Sequence, residues 1–155
     1  INWKDASNAL NTQVVLIVVA SLALGQALLK TGAASYLAHL FVSAMQGSST
    51  IFMLSGLMLL MAIMTNIVSN NAAAVIGTPI AIGIAQQLNL PAEPFVLAVL
   101  FGANMSYATP MAYKTNLLVM TAGGYTFNDF LKVGIPLTII MWASLTWLLM
   151  LFYNL

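Results

Sequence analysis

Charge is scarce in this sequence. Lysine and arginine together number 4 and aspartate and glutamate 3 among 155 residues, 5% in all, against roughly 25% in an average soluble domain. A fold surrounded by water has too few charges here to cover itself. The four lysines are spread along the chain, so no basic patch exists to neutralise a row of phosphates, and nucleic acid is excluded as a partner. Cysteine is absent, which rules out disulfides and thiolate metal sites. Histidine occurs once, at His39, and no His/Glu metal spacing, intramembrane carboxylate pair or Gly-rich phosphate loop is present. Nothing in the sequence supports an enzyme. What fills it is apolar: 61% of residues are hydrophobic, and the expected class is an all-α integral membrane protein.

The apolar residues fall into runs separated by turn-rich punctuation. Spans are predicted near residues 14–30, 51–68 and 131–153, each approaching the ~20 apolar residues that cross a bilayer. Loops are predicted at Gln46–Thr50, Asn89–Pro94 and Gly123–Thr126. Ser35–Met45 reads as a short helix with an apolar face of Tyr36, Leu37, Leu40 and Phe41, and His39 within it as an ordinary hydrogen-bonded residue. Thr126 or Asn128 can cap the last helix ahead of Asp129, Pro136 predicts a kink, and Trp142, Trp147, Phe152 and Tyr153 read as lipid contacts, the last two at the interface. Trp3 and Lys4 suit a membrane interface. The start at Ile1, with no leader pattern, reads as a fragment cut just before a membrane segment.

Two apolar stretches, Ala72–Ala85 and Phe95–Ala108, run to only about fourteen residues, a length typical of re-entrant or broken segments. These segments lie near residues 69–88 and 95–120, and each adjoins a polar interruption. In the first, Thr65-Asn66-Ile67-Val68 leads into Ser69-Asn70-Asn71 and an alanine-rich continuation. Backbone that leaves a helix at membrane depth must be buried in protein or line a wet cavity. Such a break exposes carbonyls suited to a cation and N–H groups suited to an anion, with Ser69 and Asn70 as caps of the second half. The second interruption is Tyr107-Ala108-Thr109-Pro110-Met111-Ala112-Tyr113-Lys114-Thr115-Asn116. Thr-Pro turns the chain out of a helix, and Thr115-Asn116 can cap the next helix from Leu117. Lys114 is the one charge inside a break: it contacts an anionic substrate, or its ammonium takes a place otherwise filled by sodium.

At these motifs the sequence resembles the divalent-anion:sodium symporter family, in its C-terminal half. Ser69-Asn70-Asn71, Ala108-Thr109-Pro110, Ile1-Asn2-Trp3, Ala23-Leu24-Gly25 to Lys30-Thr31-Gly32, and Gly123-Gly124-Tyr125 with Phe130-Leu131-Lys132-Val133-Gly134 carry the likeness. The resemblance implies one inverted repeat, residues 1–155, of an elevator-type transporter with full-span helices, a re-entrant hairpin and a broken helix. It implies a multi-pass protein of a bacterial inner or plasma membrane, dimeric when whole, that moves a small anion such as a dicarboxylate, citrate or sulfate with Na+ and needs no organic cofactor.

By the same resemblance, Thr65, Val68, Asn70 and Ala108 form a sodium site, partly through backbone carbonyls, with Ser69 in the same set. Asn70, Asn71 and Thr109 face the anion, and Lys114 and Asn116 join them as substrate candidates. Asn71 stands where the family usually has threonine, which puts an amide in place of a hydroxyl and changes the pocket's size. The other repeat lies outside this sequence, so the chain alone is expected not to transport. Two alternatives stand beside the symporter: a cation/proton antiporter of the same superfamily, and a non-transporting membrane assembly module. A proton-exchanging site normally needs a carboxylate at membrane depth, whereas Glu93 and Asp129 fall in predicted loops.

Overall fold

The structure is a computed structural model that describes residues 12–154. The interfacial expectations for Trp3 and Lys4, and the Ile1-Asn2-Trp3 part of the resemblance, lie outside the described residues. Every regular element within them is a helix: α1 (Thr12–Lys30), α2 (Ala33–Ala44), α3 (Thr50–Thr65), α4 (Asn70–Leu88), α5 (Ala92–Ala103), α6 (Lys114–Gly123) and α7 (Phe127–Tyr153).

The core lies where α3, α4 and α5 meet. Leu54, Leu57, Met58 and Met61 of α3, Ile84 of α4 and Phe95 and Val99 of α5 are almost completely enclosed. Between apolar helices in lipid, association rests on close van der Waals contact rather than on escape from water, so small residues decide how near the backbones come. Gly102 shows this: a Cβ there would collide with the Met58 carbonyl and stand 2.7 Å from Met61 Cβ. Gly77 of α4 in turn lies against Met61 and Val99. Since Thr65 meets Asn70 at the turn and Met61 meets Gly77 further down, α3 and α4 fold back along each other as a hairpin.

Several expectations change. The first interruption begins earlier than predicted, because α3 stops at Thr65 and not at Val68. Ile67 and Val68 lengthened the apolar run in sequence, but both sit on the exposed turn, Ile67 at 76% exposure. The segment after Ser69 is longer than the fourteen apolar residues suggested: α4 has 19 residues and runs unbroken through Pro79. Its end is set by Asn89 in the left-handed conformation, with Leu90 N–H donating to the Ala85 carbonyl at 2.9 Å. In contrast, α5 stops at Ala103, five residues short of the expected Ala108.

Among the described residues, Phe127–Tyr153 is the one helix long and apolar enough to cross a membrane. Its start follows the predicted cap: the Asp129 carboxylate accepts from the Thr126 N–H at 2.8 Å and from its hydroxyl at 2.7 Å. The helix stays continuous across Pro136. Trp142 has a further role: half-buried, it donates its indole N–H to the Ser55 carbonyl at 2.9 Å and ties α7 to α3.

The short helix α2 also packs differently from its apolar stripe. Tyr36, Leu37 and Leu40 are exposed, whereas Ala34 and Ala38 are buried, with Ala38 directly beneath Gly83 of α4. The alanines make the closest approach, as close helix packing in lipid favours, and Phe41 and Val42 also pack against the core, while Tyr36, Leu37 and Leu40 face outward.

Candidate functional site

The two interruptions form one structure. Thr65, wholly buried at the end of α3, places its hydroxyl 2.8 Å from Asn70 Oδ1 and 2.7 Å from the Ala103 carbonyl at the end of α5. It therefore joins both sides of the first break to the start of the second. A threonine suits this place because its one O–H proton can serve the Ala103 carbonyl, which a valine of equal shape would leave without a donor, while its oxygen stays within hydrogen-bond reach of the Asn70 amide.

Asn66 makes the second link. Its Nδ2 donates to the Ala62 carbonyl at 2.7 Å, within its own helical turn, and to the Met105 carbonyl at 3.0 Å. Its Oδ1 accepts from the backbone N–H of Ala108 at 3.0 Å and of Thr109 at 3.2 Å. The Thr109 hydroxyl then donates to the Asn66 carbonyl at 2.8 Å. Both amide donors and two acceptor positions are used, so this side chain is saturated and fixed in orientation. Sequence reading passed over Asn66, since one asparagine after a helix looks like an ordinary cap.

Ser69 caps α4 as expected, its hydroxyl accepting from the Ala72 N–H at 3.3 Å. Asn70 is the first residue of α4 and is partly buried, while Asn71 beside it is exposed. Among the described residues, no donor reaches the carbonyls of Thr65, Val68 or Ala108, which lie on either side of this clasp. The turn thus keeps carbonyl oxygens free next to the ordered Asn70 side chain.

Asn116 works from the other side of the second interruption. Its Nδ2 donates to the Ser106 carbonyl at 2.8 Å and to the Thr109 carbonyl at 3.2 Å, closing the loop on itself. It does not cap the next helix, and neither does Thr115: α6 begins at Lys114, after an extended Tyr113. Lys114 is exposed in the first turn, at the helix end whose dipole disfavours a cation. The structure therefore brings together Thr65, Asn70, Ala108, Thr109 and Asn116 through direct bonds or the shared Asn66, and leaves Asn71 and Lys114 on the surface.

Support for the second interruption also comes from α7. Gly134 faces its backbone so closely that a Cβ there would stand 2.5 Å from Ala108 Cα and collide with the Tyr107 carbonyl. A cleft of 390 Å³ opens beside this contact, lined by Tyr107, Asn116, Tyr125, Asp129 and Phe130 among others. It borders the clasp at Asn116 but does not reach Thr65 or Asn70.

Residues 1–154 match the citrate transporter family. The chain belongs to that family. It is 35% identical over 146 residues to an uncharacterized transporter of Synechocystis sp., covering 94% of this chain and 24% of that protein. It is 31% identical over 143 residues to an uncharacterized transporter of Escherichia coli strain K12, covering 92% of this chain and 23% of that one. Sodium/sulfate cotransporter 1 of Chlamydomonas reinhardtii is 30% identical over 136 residues, covering 87% of this chain and 15% of the relative. The chain thus spans a quarter or less of the length of these relatives. The resemblance seen in the two interruptions is borne out, and membership of this transporter family makes the chain part of a membrane protein.

Proposed function

We propose that the chain supplies half of the binding site of a secondary transporter that carries a small anion, a dicarboxylate, citrate or sulfate, together with Na+. The observation that carries this reading is the clasp between the two interruptions, in which Thr65 and Asn70 are bonded and the carbonyls of Thr65, Val68 and Ala108 accept from no donor among the described residues. A small hard cation takes oxygen ligands of this kind, and carbonyls ending a half-helix carry partial negative charge. A half-turn of the Asn70 amide lets its nitrogen donate to the Thr65 oxygen, which releases Oδ1 for a cation. Ser69 contributes by capping the half-helix that follows.

On the anion side the candidates are Asn70, Asn71, Thr109, Lys114 and Asn116. Asn70 and Asn71 stand at the N-terminal end of α4, where backbone N–H groups and the helix dipole favour negative charge. In this reading α3 and α4 are a re-entrant hairpin, α5 and α6 a broken helix, and α7 a full span. A second, inverted repeat elsewhere in the protein completes the site, and the whole transporter works as an elevator-type homodimer in a bacterial inner or plasma membrane. The cotransporter from Chlamydomonas, named for sodium and sulfate, supports this assignment.

Proton antiport is the weaker alternative. Glu93 is exposed in the first turn of α5, and Asp129 is engaged in the cap of α7, so neither carboxylate joins the clasp. The test is uptake of labelled succinate, citrate and sulfate by vesicles holding the intact transporter, with Na+ or with choline outside. The expected result is Na+-dependent uptake of at least one anion that is lost in Asn70→Ala. Uptake indifferent to Na+, or unchanged in that variant, would overturn the reading.

A further inference from the structure

We infer that Asn66, to which no binding role attaches, is the positioning residue that sets the cation side and the anion side of the site in one geometry. The inference rests on the sodium-coupled reading above and adds to it a residue that touches neither ligand. Asn66 sits at the end of α3, between Thr65 and Val68, whose carbonyls belong to the proposed cation set. Its Oδ1 holds the N–H groups of Ala108 and Thr109, 42 and 43 positions away in sequence. In that reading Ala108 belongs to the cation set and Thr109 to the anion set, and the Thr109 hydroxyl is itself held on the Asn66 carbonyl at 2.8 Å.

The chemistry explains why an asparagine is suited to this place. The position requires two donors, for the Ala62 and Met105 carbonyls, and an acceptor for two N–H groups at once. Among side chains of this length, only an amide provides both. Aspartate keeps the acceptor but sets a carboxylate oxygen against two carbonyls. Alanine leaves all four backbone groups without a partner. Because the Ala108 carbonyl and the Thr109 N–H share one peptide plane, releasing that N–H also frees the carbonyl to turn away. The same release frees Thr109, so cation and anion affinity are expected to fall together.

The experiment uses the full-length transporter in vesicles. Asn66→Ala and Asn66→Asp are compared with wild type and with Asn104→Ala, whose exposed amide bonds only to the Leu100 carbonyl of its own helix at 2.8 Å. The expected result is a rise of about 10-fold or more in the Na+ concentration for half-maximal uptake and in the anion KM for both Asn66 variants, with Asn104→Ala near wild type. Hydrogen exchange at the Ala108 and Thr109 amides, measured in wild type and Asn66→Asp without ligands, reports the clasp itself. Slow exchange in wild type is expected, and faster exchange at both amides in Asn66→Asp, where repulsion from the Ala62 and Met105 carbonyls turns the carboxylate out of the clasp.

Wild-type affinities in either Asn66 variant, or fast exchange at both amides in the wild-type protein, would overturn the inference. If Asn66→Ala fails to fold, Asn66→Asp and the wild-type exchange decide it. Absence of Na+-dependent uptake in the wild type refutes the proposed function instead, while the exchange measurement still stands on its own.

Discussion

Asn66 and Thr109 are bound to each other twice: the Thr109 N–H donates to Asn66 Oδ1 at 3.2 Å, and the Thr109 hydroxyl donates to the Asn66 carbonyl at 2.8 Å. Two contacts, both donated by Thr109, one to the side chain and one to the backbone of Asn66, fix the relative orientation of the residues as well as their distance. Asn66 also holds the Met105 carbonyl and the Ala108 N–H, and Thr65 adds a bond to the Ala103 carbonyl at the end of α5. Much of the irregular backbone at the breaks is thereby satisfied from the opposite break, which spares those groups the several kcal/mol that each would cost unpaired away from water, while the Thr65, Val68 and Ala108 carbonyls stay free. Neither interruption is complete without the other.

Thr65→Val tests this dependence. Valine keeps the branched shape but removes the donor, leaving the buried Ala103 carbonyl without its partner and Asn70 without its anchor. A loss of about 1–3 kcal/mol in stability is expected, the cost of one buried unsatisfied group. A lowered melting temperature of the detergent-solubilised protein reads it out. Unchanged melting would show that the hydroxyl is dispensable.

Gly134→Ala addresses the support from α7. The added methyl meets backbone at Tyr107 and Ala108, not the flexible end of a side chain, so the conflict can be relieved only by moving a helix or the loop. Overpacking of this kind costs about 1–3 kcal/mol. Reduced thermal stability is expected together with weaker Na+-dependent uptake, because Ala108 itself must shift. Serine at the same position should be at least as damaging.

The interruptions were legible in sequence because polar residues and Thr-Pro stand out against apolar runs. Ser69 was recognisable as a cap by its place before an alanine-rich helix, and it does cap. Asn66 was not recognisable, since its decisive partners, Met105, Ala108 and Thr109, lie about forty positions away and no local period reports them. The end of α3 was misplaced for a different reason: Ile67 and Val68 look like helix interior but occupy an exposed turn, where apolarity does not signal burial. In α2 the apolar stripe is divided: Phe41 packs against the core, while Tyr36, Leu37 and Leu40 are exposed. Tyr36 and Leu40 would mark a core face in water, but against lipid the alanines at 34 and 38 mark it. Helix α6 begins after Tyr113, whose extended backbone turns the chain without a side-chain cap, so no sequence signal announces Lys114 as the start.

Lys114→Gln separates binding from scaffold. The ammonium is exposed in the first turn of α6, where a cation opposes the helix dipole by about 0.3–1 kcal/mol, so its removal should leave stability equal or slightly higher. If the ammonium meets the substrate, anion KM rises by about 10-fold while the Na+ requirement stays the same. A changed Na+ requirement with an unchanged anion KM would assign the ammonium to a cation's place. No change in either would make this lysine scaffold.

Asn71→Thr tests what sets the choice of anion. Asn71 is the second residue of α4, exposed beside Asn70, and its amide presents two donors where the symporters that this chain resembles usually carry a threonine hydroxyl. Threonine is smaller and offers one donor, so the replacement should make room for a larger anion and weaken the grip on a compact one. The expected change is a shift of about 10-fold in the ratio of kcat/KM for citrate over sulfate, in favour of citrate, which is the scale on which one small group alters a pocket. Na+ dependence should not move, because Asn71 contributes to neither the Thr65 nor the Asn66 bonds that order the cation side. Competition between the two labelled anions in vesicles gives the ratio directly. An unaltered ratio would place the determinant of anion size in the complementary half of the transporter.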